Sequence, residues 1–321
     1  MKIDLLKFSV FASLYSLVVA NGDSTNFGAV RDEVNSIFTQ ADSVDSSFQQ
    51  QGAKVAILQD YDSVLTDLIR ISKTLSLDQI SDSTEKNELI ESVNNRISKI
   101  YYRQGLINYS IGKDNVALED YKSCLQYDQA SSVCMSKLYQ LGLNLGKIEL
   151  LSEKLKDGKI LLGHEFASEI EEKLSILSTK KEEATKFSEQ GDYSNCRTAI
   201  GEVLEISPQF QEARIIRIEC LKNDKNIDFD EKTDMLMNDY KSLLSAGGNS
   251  KNLSIYSDFF KLLYFNRPDT VDPLLSTKNL QICLRMDNEF EPCKLYAKLT
   301  YKLDSLFQKM NDISLFYSHR I

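Results

Sequence analysis

Apolar residues recur at helical intervals along most of the chain, and glycine or proline interrupts them where a hairpin would turn. Over residues 30–50 the pattern Val30, Val34, Ile37, Phe38, Val44, Phe48 predicts one helix, and Gln51-Gly52 ends it. A return helix over 53–71 puts Ile57, Tyr61, Leu65, Leu68 and Ile69 on one face. Residues 76–88 are polar and predict a loop with the start of a helix. Next comes Tyr101, then Gly105, a break at Gly112, and Ala117, Tyr121, Cys124 and Leu125. Those offsets alternate small and large side chains, as two interlocking antiparallel helices require. Residues 156–164 predict a break at Gly158 and Gly163, and a long helix follows over about 165–190. Further on, 210–221 predicts a partner for 235–244 across a longer loop, and Ala246-Gly247-Gly248-Asn249 predicts a hinge. The last hairpin predicted pairs 253–265 with 273–286, and a final helix runs over 292–310.

The register of these hairpins is regular. Gly112 and Gly146 stand 34 residues apart, and Ala184, Gly191, Tyr193, Cys196, Ile200 and Val203 repeat the pattern before Pro208 stops the helix. A 34-residue helix–turn–helix period is that of the tetratricopeptide repeat, TPR. The predicted fold class is therefore all-α, a TPR superhelical solenoid of antiparallel helix pairs. The expected divisions are a signal peptide over 1–20, a flexible segment over 21–29, and TPR subdomains over 30–160, 161–249 and 250–321, the last incomplete.

Composition narrows the function classes. The 38 Lys plus Arg against 47 Asp plus Glu give a net charge of −9 with no basic patch, which argues against nucleic-acid partners. Thirteen Gly and four Pro in 321 residues suit helices rather than turn-rich β structure. Lys2 and Lys7 precede an apolar run over 8–20, and Val18-Val19-Ala20 offers small residues for cleavage before Asn21. No later stretch is long and apolar enough to cross a membrane, so none is expected after cleavage.

Six cysteines in a secretory chain predict disulfides, with 15 possible pairings. Cys124 and Cys134, like Cys283 and Cys293, lie ten apart in the frame Cys-Leu-x-x-Asp-x-x-x-x-x-Cys, across the turn between two helices. Cys196 and Cys220 then pair by elimination. No Cys-x-x-Cys occurs and His164 and His319 lack partner spacing, so neither a metal nor a cofactor is expected. Glu171-Glu172 and Glu182-Glu183 are solvated helix surface, and no phosphate loop or nucleophile motif is present. Enzymatic activity is not expected.

The first helix of each TPR hairpin lines the groove. Counting from Tyr101 predicts that Tyr102, Leu106 and Tyr109 point into it, an aromatic and aliphatic face suited to apolar segments of extended chains. The same offsets in the later repeat give Lys181, Thr185 and Ser188. Two glycosylation sequons occur, Asn108-Tyr-Ser110 and Asn252-Leu-Ser254, and Asn252 is favoured because Asn108 falls inside a packed helix.

The signal run, the repeats YYRQGLINYSIGKDNVALEDY and EQGDYSNCRTAIGEVLEISP, and CLRMDNEFEPC before a Lys/Leu-rich helix together resemble a known family. It is that of the lumenal TPR co-chaperones of DnaJ type: the kinase-inhibitor type and the yeast lumenal DnaJ-like protein. The resemblance covers most of residues 90–310. It implies a protein of the endoplasmic reticulum lumen that binds unfolded or misfolded polypeptides and delivers them to the chaperone BiP. Members carry a J domain with a His-Pro-Asp tripeptide, and no such tripeptide follows His164 or His319. The J domain is thus expected to be absent from this chain. The alternative expectation is a secretory TPR scaffold for one folded partner or peptide.

Overall fold

Two glycines show how this sequence turns one helix back on another. Gly112 and Gly191 have φ of +74° and +75°, a left-handed conformation that side chains resist. At the first, the N–H of Lys113 donates to the Asn108 carbonyl at 2.8 Å; at the second, the N–H of Asp192 donates to the Phe187 carbonyl at 2.9 Å. Both close the preceding helix in the same way and launch the next one antiparallel.

The structure, a computed structural model, describes residues 25–76, 84–245, 252–266 and 273–318. Among the described residues every regular element is helical. In chain order these are α1 (Thr25–Gln51), α2 (Val55–Leu75), α3 (Thr84–Ser110), α4 (Asp114–Tyr127), α5 (Ser132–Asn144), α6 (Ile148–Leu162) and α7 (His164–Glu189). There follow α8 (Tyr193–Ile206), α9 (Gln211–Asn223), α10 (Phe229–Ser245), α11 (Leu253–Lys261), a π-helical segment (Leu262–Asn266), α12 (Pro273–Met286) and α13 (Glu291–Ser318). The signal run, the proposed cleavage site at Asn21, the hinge over 246–249 and His319 lie outside the described residues.

The helices gather into two compact units, one ending in residues 149–171 and the other made of 143–148 with 172 onward. In the first unit, α1, α2 and α3 share a core in which Val34, Tyr61, Leu68, Val93, Ile97 and Ile107 are fully buried. A polar clamp backs that core. Tyr61 Oη donates to Asp45 at 2.9 Å, Arg96 donates to the other oxygen of Asp45 at 3.2 Å, and Arg103 pairs with the same carboxylate. Arg96 and Arg103 also lie over the Phe38 and Phe48 rings, at 5.2 and 5.8 Å from the centroids.

Among the described residues the second unit includes two separate cores. Leu221, Tyr240, Phe259 and Leu263 centre one; Phe260, Cys283 and Cys293 centre the other. Asp239 on α10 is fully buried and takes both Arg214, at 2.5 Å, and Arg217, at 2.5 and 2.7 Å, from α9. Removing either partner of such a group leaves a charge without water, which costs several kcal/mol.

Several boundaries depart from expectation. Gly158 does not break a helix; it lies inside α6, buried, where a Cβ would collide with the Tyr139 ring. Its missing side chain is what lets α5 and α6 approach, and only Gly163 ends the helix. Helix α10 begins at Phe229 rather than near residue 235, because the Asp228 carboxylate accepts from the N–H groups of Asp230, at 2.9 Å, and Glu231, at 3.2 Å. The stretch predicted over 253–265 is α-helical only to Lys261 and then widens into the π segment. Helix α13 runs on to Ser318.

Candidate functional site

The candidate site residues of the first unit, Tyr102, Leu106 and Tyr109, lie on α3. Its inner positions are fixed by packing on α4: a Cβ at Gly105 would overlap the Tyr121 ring, so the two helices meet closely only because that position is glycine. Ala117, Tyr121 and Cys124 fill the α4 side and are all buried. Residues one position on fall at the edge of that face rather than within it.

Tyr102 and Leu106 are half-buried and Tyr109 is 50% exposed. Their spacing of four and three residues puts them on one side of α3. The Tyr102 ring lies 6.2 Å from that of Tyr121, centroid to centroid, which pins its inner edge. Beyond the helix end, Ile111 and Val116 are 37% and 48% exposed. The register-equivalent side chains on α7 are polar. Lys181 there is tied to Glu212 at 2.8 Å and sits 5.5 Å from the centre of the Phe210 ring.

A polar pair that the hydrophobic pattern did not reveal runs beneath the α3 face. Asn108 is buried and its Nδ2 donates to Asp120 on α4 at 2.7 Å. One turn earlier, Gln104, also buried, donates to Asp62 on α2 at 2.6 Å. Burial, with Asp62 and Glu119 nearby, pushes the Asp120 carboxyl up to about 6, against a counteracting hydrogen bond from Asn108. Burial chiefly raises the Tyr101 phenol as well, with Tyr127, Asp120 and Asp62 adding to it. The signal for these residues was available: Gln104 and Asn108 occupy packing positions where apolar side chains are expected.

Asn108 is therefore both a sequon residue and a buried hydrogen-bond donor, and a glycan on its Nδ2 would break the bond to Asp120. Asn252 is exposed and caps α11, its Oδ1 accepting from the Ser254 N–H at 3.2 Å and the Ser254 hydroxyl at 2.6 Å. The structure joins Cys124 to Cys134, Cys196 to Cys220 and Cys283 to Cys293, with Cα separations of 6.3, 6.0 and 6.5 Å. Two of these links staple a turn. The Cys196–Cys220 link instead joins the first turn of α8 to the last turns of α9.

Among the described residues no group of three or more His, Cys, Asp or Glu side chains is placed to hold a metal ion. No helix among them is long and apolar enough to cross a membrane.

No family model matches the chain. The human protein DnaJ homolog subfamily C member 3 is 25% identical over 222 residues, which cover 66% of this chain and 41% of that protein. The tetratricopeptide repeat and J domain-containing co-chaperone DNJ1 of Cryptococcus neoformans is 24% identical over 208 residues, 64% of this chain and 37% of that one. The chain thus spans about two fifths of the length of these curated relatives. The crystal structure of the P58(IPK) TPR domain superposes with a TM-score of 0.58 over 87% of this chain and 67% of that one, at 18% identity. That likeness concerns the fold. With the helical hairpins described above, it makes the chain an all-α TPR protein.

Proposed function

We propose that the chain is a polypeptide-binding co-chaperone of the endoplasmic reticulum lumen, holding unfolded or misfolded segments on the α3 face and passing them to BiP. The observation that carries this reading is the exposure of Tyr109 beside half-buried Tyr102 and Leu106 on one side of α3. An aromatic and aliphatic strip on a rigid helix offers contact area to any extended apolar segment and demands no particular sequence. Similarity to a DnaJ homolog and to a J domain-containing co-chaperone supports the role, and the apolar run over 8–20 with three cystines supports the compartment. The role is one of binding, not catalysis, and needs neither cofactor nor metal.

The test is aggregation of a chemically denatured client in the presence of the full chain. Suppression is expected, and its loss in the triple variant Tyr102→Lys, Leu106→Thr, Tyr109→Ser, which installs the side chains of α7. No suppression at several-fold molar excess would overturn the reading, and a single stoichiometric partner in a lumenal pull-down would replace it with the fixed-partner scaffold. Lumenal placement is tested by a glycosidase-sensitive mass shift that Asn252→Gln removes. Delivery to BiP predicts co-precipitation that ATP releases.

A further inference from the structure

The two turn-stapling disulfides serve as a ruler between distant helices. Cys134 stands one 34-residue period after Ile100, and the α3 strip lies two, six and nine residues beyond Ile100. Counting the same offsets from Cys134 on α5 gives Ser136, Gln140 and Leu143; from Cys293 on α13 they give Leu295, Leu299 and Lys302. On α5 the first two are exposed and polar, as solvent demands. On α13 they are leucines, 54% and 39% exposed, and Leu306 extends the same side two turns on at 55%.

These leucines are not spent on the core. The inner side of α13 is supplied by Cys293 and Thr300, both buried, and by Tyr296, whose ring lies 5.4 Å from that of Phe260. Charge then selects among occupants. Lys294 is tied to Glu289 at 2.8 Å and Glu291 at 3.5 Å, whereas Lys298 and Lys302 are exposed and have no ion-pair partner among the described residues. In a chain of net charge −9, α13 therefore shows a leucine strip with an uncompensated lysine edge.

We propose that this face of α13 is a second polypeptide-binding surface, for extended segments that interleave apolar with acidic residues. The proposal rests on the co-chaperone reading above and gives that protein two contact strips of different selectivity. The strip on α3 is aromatic and takes apolar segments. The strip on α13 is aliphatic with a basic edge and takes acidic–apolar ones.

The test is fluorescence anisotropy of the full chain with three labelled 12-residue peptides that alternate leucine with glutamate, serine or lysine. The glutamate peptide should bind about tenfold more tightly than the lysine peptide, and Leu295→Ser/Leu299→Ser should weaken it about tenfold. Lys298→Glu/Lys302→Glu should reverse the preference, while Ile160→Ser, an exposed position on α6 outside both strips, leaves it intact. Binding of the glutamate peptide that neither α13 variant alters overturns the proposal and leaves the α3 reading standing. Failure of every peptide to bind overturns both. Sedimentation with phosphatidylserine vesicles that Lys298→Glu/Lys302→Glu abolishes, without any peptide preference, overturns it in favour of a lipid surface.

Discussion

The hairpins α3–α4 and α7–α8 share a frame and differ in what they show to solvent. Gly105, Ala117, Tyr121, Cys124 and Leu125 of the first correspond, 79 residues later, to Ala184, Cys196, Ile200, Val203 and Leu204 of the second. All ten are buried. Glycine faces tyrosine in the first hairpin, and the same register positions of the second hold alanine and isoleucine, so a larger residue at one position goes with a smaller one at the other. At the outward positions nothing is conserved. Tyr102, Leu106 and Tyr109 become Lys181, Thr185 and Ser188. Packing sets the first group and a partner is free to set the second, so two hairpins of one fold can do different work.

The largest effects expected come from the cystines that tie each hairpin to the helix after it. Replacing Cys196 and Cys220 by alanine should cost about 3.4 kcal/mol, and the same change at Cys124 and Cys134 about 2.7 kcal/mol, since the loops span 24 and 10 residues. Denaturant midpoints of the two variants read the difference, and equal losses would show that loop length does not govern it. Next is the inner contact. Gly105→Ala alone should cost about 2 kcal/mol by driving a methyl into the Tyr121 ring. Adding Tyr121→Ile, which copies the residues that α7 and α8 carry in that register, should recover most of that loss, and a double-mutant cycle measures the coupling.

A smaller effect separates the hairpins by pH. The second carries Phe187 and Ala199 where the first carries Asn108 and Asp120. Because the Asp120 carboxyl is pushed up to about 6 from its ordinary 3.8, the folded hairpin favours the protonated form. The resulting stability is complete below about pH 4 and is lost as pH rises through 6, so the chain is more stable at pH 5 than at pH 7. For a partly exposed carboxyl the difference is about 1 kcal/mol after screening. Asp120→Asn should flatten the profile over that window in thermal melts. Least of all in stability, Tyr109→Ser alone, at the exposed end of the strip, should stay within about 0.5 kcal/mol while client binding falls. A large stability loss there would mean that the strip belongs to the core.

Much of this frame was legible from residues alone because hairpins announce themselves through small side chains at fixed intervals. Gly112 and Gly146 set the 34-residue period, Gly191 repeats the turn, and most helices form where the apolar spacing placed them. Gly158 misled for a physical reason: a glycine inside a helix is unfavourable by itself, and only the Tyr139 ring explains it. The start of α10 was hidden in an acidic run that offers several carboxylates as caps, of which Asp228 is the one used. At the candidate site the strip on α3 followed from counting, whereas the Asn108–Asp120 pair required knowing which helix lay beneath. The leucines of α13 were visible as composition, and became a surface only when the exposure of Leu295 and Leu299 was known.

The order of the cystines carries a consequence for biosynthesis. Numbered along the chain, the sulfurs join first to second, third to fourth and fifth to sixth. A chain oxidised as it enters an oxidising compartment, amino end first, meets each correct partner as the next cysteine to arrive. When Cys134 emerges only Cys124 precedes it, and once those two are joined Cys196 has no competitor for Cys220. Of the 15 pairings, the native one is reached by always taking the nearest unpaired neighbour. Such a chain needs an oxidant and no reshuffling, and a refolding experiment that begins with all six thiols free should lag behind it.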